Sequence, residues 1–184
     1  MQYGTDDILG FETDTVWGIG CHPLNRNSAE RIYKLKKRDK LKPLILMSSK
    51  IEYLMPYIKE IPVYAQSLIK NFFPGALTLI FEKSDICPFF ITSNKNTVGI
   101  RIPNHKVFFE IAESFENNVL ATTSLNLSDE PPVLNYDEAV SKFGSEIKII
   151  KPKYNEPPVN TASTVVLCTE NTPVVLRQGS VYIN

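Results

Sequence analysis

Cationic side chains are concentrated in one short stretch of this 184-residue chain, where they could bind an anionic ligand. Residues 26–42 contain eight Lys or Arg and only two acidic residues, although the formal net charge of the whole chain is zero. Such a concentration of one sign of charge attracts anions. The alternative is a solvated helix end, because cations in a last helical turn also interact favourably with the helix dipole. Charge alone favours this alternative.

The spacing of apolar residues places Lys36 at the end of a buried helical face. The residues at positions i, i+3, i+4 and i+7 are Ala29, Ile32, Tyr33 and Lys36. A lysine in that place either extends its ammonium group to water or points into a polar cleft at the edge of a sheet. The second option makes Lys36 a ligand-binding residue, with Arg38 following it in the turn.

Other polar and cationic residues lie within or at the ends of apolar stretches that predict strands. They are Arg101, Ser124, Asn126, Ser163, Thr164 and Arg177. Each alone is more often structural, because Ser and Asn frequently form caps and turns and Arg frequently forms surface ion pairs. Together they offer hydroxyl, amide and guanidinium groups, which recognise carboxylates and phosphates.

Several common catalytic signatures are missing. The chain has no G-x-x-x-x-G-K-[ST] motif, and Gly18-x-Gly20 lacks the third glycine of a dinucleotide fingerprint. These two glycines indicate instead a turn whose backbone lies against a ligand or another strand. Cys21 and His22 are adjacent, with no second pair at ligand spacing, so we expect no protein metal site. The sequence also lacks the G-x-S-x-G elbow of serine hydrolases.

The elements that must position these residues are predicted from hydrophobic periodicity. We expect strands over residues 8–11, 44–47, 77–81, 98–102, 119–123, 147–150, 163–167, 174–177 and 181–183. We expect helices over residues 28–36, 51–58, 63–72, 104–115 and 137–143, with Ser28 and Asn104 as caps of the first and fourth. Strands outnumber helices and several follow one another directly, so the sequence predicts a mixed sheet rather than a doubly wound parallel one.

Composition bounds the class of protein. A hydrophobic fraction of 43% and a charged fraction of 22% are typical of a soluble globular chain, and residues 1–184 are expected to form one domain. The three scattered cysteines indicate free thiols in a reducing cytosol. The N-terminus is unlike a signal peptide, and no apolar run is long enough to span a membrane. We therefore expect a cytoplasmic protein. Its balanced charge argues against coating nucleic acid over the whole surface.

Seven short motifs in the same order resemble the YrdC/TsaC family, the threonylcarbamoyl-AMP synthases of tRNA threonylcarbamoyladenosine biosynthesis. The matching stretches are TDTVWGIG at 13–20, KKR at 36–38, PGALT at 74–78, RIPNH at 101–105, SLN at 124–126, STV at 163–165 and LRQG at 176–179. No single motif is specific, but seven in order are. The resemblance covers residues 11–179.

The chain departs from the family pattern at a few positions. Trp17 replaces a usual tyrosine, and Asp129 replaces the glycine that usually follows Ser128. Met47 stands where some members carry a histidine that contacts threonine. The start is short, so the usual first helix is expected to be reduced or absent, and no extra C-terminal domain of the longer relatives is expected.

The resemblance implies a single YrdC-like α/β domain, a twisted mixed sheet flanked by helices with an open basic cleft. It implies an enzyme, a nucleotidyltransferase that converts L-threonine, bicarbonate and ATP into threonylcarbamoyl-adenylate and pyrophosphate. The threonine amine is carboxylated, and the new carboxylate attacks the α-phosphate of ATP. Mg²⁺ is expected to accompany ATP, because no carboxylate cluster in the sequence suggests a dedicated protein cage.

Family matching also assigns roles to individual residues. The catalytic residues implied are Lys36 and Arg38. The ATP-binding residues implied are Lys36, Arg38, Lys42, Arg101, Asn126 and Arg177. The threonine-binding residues implied are Thr15, His105, Ser124 and Ser163. The implied partners are the threonylcarbamoyl-transfer proteins that consume the adenylate downstream, with a tRNA contact as a further option and no membrane.

Two other functions remain open at this point. One is a non-catalytic RNA-binding module that uses the same basic cleft, which the local positive charge supports and the absence of an aromatic-interleaved basic stripe weakens. The other is a domain that handles a carbamoyl-phosphate-type substrate, since the same fold serves such proteins.

Overall fold

The computed structural model describes residues 2–183, which form one mixed β-sheet with helices on both of its faces. The strands are β1 Ile8–Phe11, β2 Gly18–Cys21, β3 Ile45–Ser48, β4 Leu77–Glu82, β5 Thr97–Arg101, β6 Val119–Ser124, β7 Lys148–Ile149, β8 Thr164–Leu167 and β9 Val174–Arg177. The helices are α1 Arg26–Leu35, α2 Ile51–Leu54, α3 Val63–Phe72, α4 Lys106–Glu113 and α5 Tyr136–Phe143, with a 3₁₀ turn at Met55–Tyr57.

The strands are ordered β7-β1-β2-β6-β3-β5-β4-β8-β9 across the sheet. Three neighbouring pairs are parallel, namely β1/β7, β3/β5 and β4/β8. The other five pairs are antiparallel. The predicted mixed sheet is therefore confirmed.

The two faces of the sheet are covered unequally. Successive strand residues point to opposite sides, and one side carries the larger core, in which Leu46, Leu79 and Ile100 are fully buried. The opposite side is covered by α4, where Met47 and Leu120 pack with Phe108 in a smaller core. This covering is incomplete. Further along the same side lies a set of residues that we call the open face: the partly exposed apolar residues Ile45, Ile80 and Val165, with the buried Gly99 and Thr122 between them.

Glycines allow close packing of side chains on this side of the sheet. A Cβ atom at Gly99 would lie 2.8 Å from the Ile45 Cγ2 atom, and one at Gly20 would lie 2.9 Å from the Thr122 Cγ2 atom. Gly20 thus approaches a neighbouring strand, which is one of the two options that the sequence left open. A side chain at either position would crowd its neighbour.

A Schellman motif ends α1 and sets the positions of Lys36 and Arg38. The Arg38 N–H donates to the Tyr33 carbonyl at 2.9 Å, and the Lys37 N–H donates to the Lys34 carbonyl at 3.1 Å. These are the two hydrogen bonds that define the motif. Lys37 has a φ of 50°, in the left-handed region. Lys36 therefore stays on the buried face of the helix, while Arg38 leaves in a new direction.

Glycine is the residue that most readily adopts the conformation of Lys37. We expect Lys37→Gly to raise the free energy of unfolding by about 0.5–1 kcal/mol, because the left-handed conformation strains a residue with a Cβ atom. Denaturant unfolding measures this change. The matched control is Lys34→Gly within the last turn of the same helix, which should lower stability by about 1 kcal/mol. Equal losses in both variants would contradict the strain at Lys37.

The predicted helix caps are wrong. Asn25 caps α1, and its side chain accepts a hydrogen bond from the Ser28 N–H at 2.9 Å. Ser28 is thus the residue that is capped. His105 occupies the N-cap position of α4 and makes no side-chain capping bond there, so Asn104 lies before the helix.

Two predicted elements also differ from the structure. The helix over residues 51–58 is divided into α2 and the 3₁₀ turn, which contains Pro56; proline lacks the N–H that would continue an α-helix. Residues 181–183 form no strand. The Val181 N–H donates to the Thr164 hydroxyl, and the Val181 carbonyl accepts from the same hydroxyl at 2.7 Å and from the Gln178 amide at 2.8 Å. Side chains therefore occupy the backbone groups that a strand would use.

The helices are short. The longest within residues 2–183 are α1 and α3, each with ten residues, and none of the described helices could cross a bilayer. Cys21, Cys87 and Cys168 are buried and unpaired.

Candidate active site

Strand register carries three predicted site residues to the same side of the sheet. Arg101 is paired with Met47, Arg177 with Val165, and Ser124 with Gly18. Paired residues share a face, and Met47 and Val165 lie on the side of α4 and the open face. The side chains of Arg101, Ser124 and Arg177 are therefore directed to that side.

Arg101 is buried and held by three segments of the chain. Its Nη1 atom donates to the Thr15 hydroxyl at 2.7 Å, its Nη2 atom pairs with the Asp14 carboxylate, and its Nε atom donates to the Gly75 carbonyl at 3.0 Å. Burial lowers the pKa of Arg101, the Asp14 charge opposes this change, and the nearby charge of Arg177 adds to it. Asp14 thus compensates one buried cation.

Arg177 and Ser163 form a second set of contacts. The Nε and Nη2 atoms of Arg177 both donate to the Ser163 carbonyl, at 3.1 and 2.8 Å. The Ser163 hydroxyl lies 2.8 Å from the Thr78 hydroxyl. Because the Arg177 charge is close enough to lower the pKa of Arg101, two guanidinium groups are neighbours here with a single carboxylate paired to them. We call Arg101, Arg177, Thr15, Asp14 and Ser163 the arginine group.

Lys36 is fully buried and belongs to a second group of predicted site residues. Its ammonium donates to the Ser124 carbonyl, to the Asn126 carbonyl at 2.7 Å and to the Asn126 side-chain oxygen at 3.0 Å. An ammonium has three donors, so protein oxygens occupy all of them, and none of these oxygens is a carboxylate. Burial lowers the pKa of Lys36 to about 7, and the charge of Arg38 contributes. We call Lys36, Arg38, Ser124 and Asn126 the lysine group.

Arg38 lies next to Lys36 on the turn that leads into β3. Its Nε atom donates to the Lys42 carbonyl at 3.1 Å, and its Nη2 atom donates to the Pro43 carbonyl at 3.0 Å. The Arg38 guanidinium also makes a side-chain hydrogen bond with Tyr33. Burial lowers the pKa of Arg38, while this bond and the charge of Asp39 both raise it. Two cations thus lie side by side with neutral oxygen partners, which favours binding of an anion.

Residues 13–18 link the two groups. Thr15 contacts Arg101, while the Trp17 carbonyl accepts from the Leu125 N–H at 2.8 Å, one residue beyond Ser124. Among the described residues, no hydrogen bond or ion pair joins Lys36 or Arg38 directly to Arg101 or Arg177. The structure therefore brings the predicted residues together as two groups on either side of this segment.

Five residues with predicted or altered roles lie outside both groups: Lys42, Asp129, Met47, His105 and Trp17. The Lys42 ammonium is exposed and lies 3.8 Å from the Asp129 carboxylate. Asp129 has a left-handed φ of 68°, the conformation that glycine adopts most readily. Met47 is buried in the core beneath α4 and packs with apolar residues, so it offers no polar contact in place of the histidine.

His105 is buried, and among the described residues only one of its two ring nitrogens has a hydrogen-bond partner. Its Nε2 atom lies 3.0 Å from the Glu156 carbonyl, and its buried Nδ1 atom has no hydrogen-bond partner among residues 2–183. If Nε2 donates to this carbonyl, Nδ1 carries no proton and can accept a hydrogen bond from a hydroxyl or ammonium group of a ligand. Trp17 is also buried, and its Nε1 atom has no hydrogen-bond partner in the described part of the chain.

Sequence reasoning missed Asp14 and Thr78 as members of these contacts. Both lie in motifs that resemble the family, T-D-T at 13–15 and P-G-x-L-T at 74–78. The motifs could have indicated these two residues, but the sequence does not show which residues they contact. As for metals, residues 2–183 contain no group of three or more His, Cys, Asp or Glu side chains that could hold an ion.

Comparison with known proteins gives a consistent family. The family model Sua5_yciO_yrdC, described as "Telomere recombination", matches residues 3–179. A threonylcarbamoyl-AMP synthase of Pyrococcus abyssi is 36% identical over 172 residues, which cover 94% of this chain and 50% of that protein. A threonylcarbamoyl-AMP synthase of Pseudoalteromonas atlantica is 28% identical over 152 residues, covering 82% of this chain and 81% of that protein.

A solved structure extends this similarity to three dimensions. The crystal structure of P. abyssi Sua5 complexed with L-threonine has a TM-score of 0.88 and 34% sequence identity, covering 95% of this chain and 51% of that one. The chain thus spans about half the length of the Pyrococcus proteins that it matches.

Proposed function

Because this chain belongs to the Sua5/YciO/YrdC family, we propose that it is an L-threonylcarbamoyladenylate synthase. In this proposal it joins L-threonine, bicarbonate and ATP and releases pyrophosphate. One observation carries the proposal beyond family membership. Lys36, Arg38, Arg101 and Arg177 are cations with burial-lowered pKa values, and Asp14 is the one carboxylate paired with any of them among the described residues. Such a charge surplus suits substrates that are themselves anions.

The reaction requires two anions to meet. The carboxylated threonine must approach the α-phosphate of ATP, and the two repel each other in water. A cation in contact with an anion contributes roughly 4 kcal/mol at an effective dielectric constant of about 20, before desolvation costs. We propose that catalysis is electrostatic and positional, with no covalent enzyme intermediate.

Lys36 and Arg38 divide this work in our proposal. Arg38, which is only partly buried, contacts a phosphate directly. Lys36 in its protonated form supplies charge from a buried position and fixes the Ser124–Asn126 turn through its contacts with three oxygen atoms. Lys42, which is exposed, assists at the triphosphate.

The arginine group serves both substrates in this proposal. Arg101 and Arg177, with Asn126 from the lysine group, line the nucleotide side. Threonine is bound by Thr15, His105, Ser124 and Ser163. The contacts of Arg101 with Thr15 and of Arg177 with Ser163 support it, because they join a nucleotide-side residue to a threonine-side residue.

Mg²⁺ accompanies ATP in this proposal and is held chiefly by the phosphates, since the described residues offer no carboxylate cage. The threonylcarbamoyl-adenylate then passes to proteins that transfer the threonylcarbamoyl group to tRNA. A direct tRNA contact of this chain belongs to the same proposal.

Pyrophosphate release with each substrate omitted in turn tests the proposed reaction. We expect release only when L-threonine, bicarbonate and ATP are all present, because the carbamate must form before it can attack ATP. A carbamoyl-phosphate-type enzyme would remain active without threonine, and a non-catalytic RNA-binding module would release no pyrophosphate. Either result would overturn the proposal.

A further inference from the structure

A short series of hydrogen bonds ends on the Lys42 carbonyl, which is also bound by Arg38. The Tyr33 hydroxyl donates to the Lys42 carbonyl at 3.0 Å, and the Arg38 Nε atom donates to the same carbonyl at 3.1 Å. A carbonyl oxygen has two lone pairs and can accept both bonds. Tyr33 and Arg38 therefore share one acceptor, and the place of that acceptor fixes both side chains.

The donor and the acceptor in each of these hydrogen bonds follow from the number of hydroxyl protons. Tyr33 has a single O–H, which donates to the Lys42 carbonyl. The Tyr33 hydroxyl oxygen also lies 3.3 Å from the Ser93 hydroxyl oxygen. Ser93 must then be the donor to Tyr33. The order is Ser93 to Tyr33 to the Lys42 carbonyl, which also accepts from Arg38.

Residues 83–96 hold the far end of this series; we call them the buttress loop. The loop is closed at its base by a hydrogen bond from the Lys83 N–H to the Asn96 carbonyl at 2.9 Å. It is a compact loop with close ends and its own internal hydrogen bonds, of the kind often found at functional sites. Ser93 in this loop has a left-handed φ of 54°, and such strain persists only where the surroundings enforce it.

The buttress loop also fixes the start of β3. The Leu44 N–H donates to the Ile91 carbonyl at 2.9 Å, and both side chains are buried. The turn that carries Arg38 is thus held at Lys42 by Tyr33 and at Leu44 by the loop.

We infer that Tyr33 is a positioning residue for Arg38, supported by the buttress loop through Ser93. This inference rests on the proposed function for its kinetic consequences. Tyr33 touches no substrate; it holds the Lys42 carbonyl where the Arg38 guanidinium can bind it, and its hydroxyl contacts the same guanidinium, so that Arg38 keeps one orientation toward the triphosphate. Loss of the hydroxyl releases the carbonyl and lets Arg38 take other orientations.

Tyr33→Phe tests this inference. We expect the KM for ATP to rise by about tenfold, in keeping with the loss of about one well-placed hydrogen bond, while the KM for L-threonine stays within twofold. The midpoint of thermal unfolding should change little. A purely structural role would instead lower the unfolding temperature and affect both substrates alike, and that result would overturn the inference.

A matched control and a direct observation complete the experiment. Tyr64→Phe removes a hydroxyl that donates to the Glu170 carbonyl at 2.9 Å, far along the chain from the turn, and should leave both KM values unchanged. ATP binding by calorimetry and a crystal structure of Tyr33→Phe give readouts that need no turnover. Weaker ATP binding with a displaced Arg38 supports the inference even if no pyrophosphate is formed. Unchanged ATP binding, or an Arg38 that keeps both carbonyl contacts, overturns it.

Discussion

Replacing Arg38 with lysine is expected to lower kcat/KM for pyrophosphate formation by about 100-fold while the protein remains folded. The loss of one positioned donor at a site of developing charge typically has this size. A lysine keeps the positive charge, but its three donors lie on one nitrogen at the end of a flexible stem, so they cannot span the Lys42 and Pro43 carbonyls and a phosphate as the planar fork of arginine can. Initial rates over a range of ATP concentrations measure the effect.

The control for Arg38→Lys is Arg31→Lys, an exposed arginine on α1 that belongs to the same basic stretch. It should keep wild-type kinetics, which separates the geometry at Arg38 from the general field of residues 26–42. If Arg38→Lys were as active as the wild type, Arg38 would have no direct contact with the reacting groups.

Replacing Lys36 with methionine should abolish detectable turnover and also change how stability depends on pH. Methionine has a similar length, fills the buried space and carries no charge. It leaves the two backbone carbonyls and the Asn126 side-chain oxygen without their common donor, so the turn that carries Ser124 and Asn126 loses its restraint. Activity should fall more than for Arg38→Lys, because both the charge and the turn are affected.

The pH dependence follows from the pKa of Lys36, which burial lowers from 10.5 to about 7. Between these values the unfolded chain holds a proton on Lys36 that the folded chain lacks, so this group makes the free energy of unfolding rise with pH. The rise is at most about 1.4 kcal/mol per pH unit. Below pH 7 both states are protonated, and the burial penalty is present in full.

Denaturant unfolding of wild type and Lys36→Met between pH 6.5 and 9.5 measures this contribution. The difference in unfolding free energy between wild type and variant should shift in favour of the wild type as pH increases. Lys37→Met, at the exposed neighbouring position, should give the same pH dependence as the wild type. A Lys36→Met curve parallel to the wild-type curve would show that Lys36 is not buried as an isolated cation.

Much of this fold could be predicted from local patterns in the sequence. The helical spacing of Ala29, Ile32 and Tyr33 predicted that Lys36 ends a buried face, and Lys36 is fully buried. Period and turn residues also predicted most strands, because a strand buried on one or both sides has a distinctive apolar composition. Both signals are read within about ten residues.

The partners of the site residues could not be predicted in this way. Lys36 binds oxygens of Ser124 and Asn126, which are 88 and 90 positions away. Arg101 and Asp14 are 87 positions apart. Such contacts depend on the order of strands in the sheet, which a single sequence does not specify. The motif resemblance identified the residues, and strand register decided which of them are neighbours.

Competition between side chains and backbone explains the local errors. Asn25 and Ser28 are both good capping residues, and the structure uses the earlier one. Residues 181–183 have the composition of a strand, but Thr164 and Gln178 take the backbone groups of Val181. Thr164 lies 17 positions away from Val181, so local propensity could not reveal this second case.

A crystal structure of this chain with ATP and L-threonine would test the central claim most directly. The claim is that the lysine and arginine groups border one site where two anionic reactants meet. We predict the triphosphate beside Arg38 and Arg177, and the threonine within reach of Thr15 and Ser163, on the side of the sheet that bears the open face. Both ligands bound elsewhere, or bound at separate sites too far apart for the threonine nitrogen to reach the α-phosphate through one carboxyl group, would contradict it.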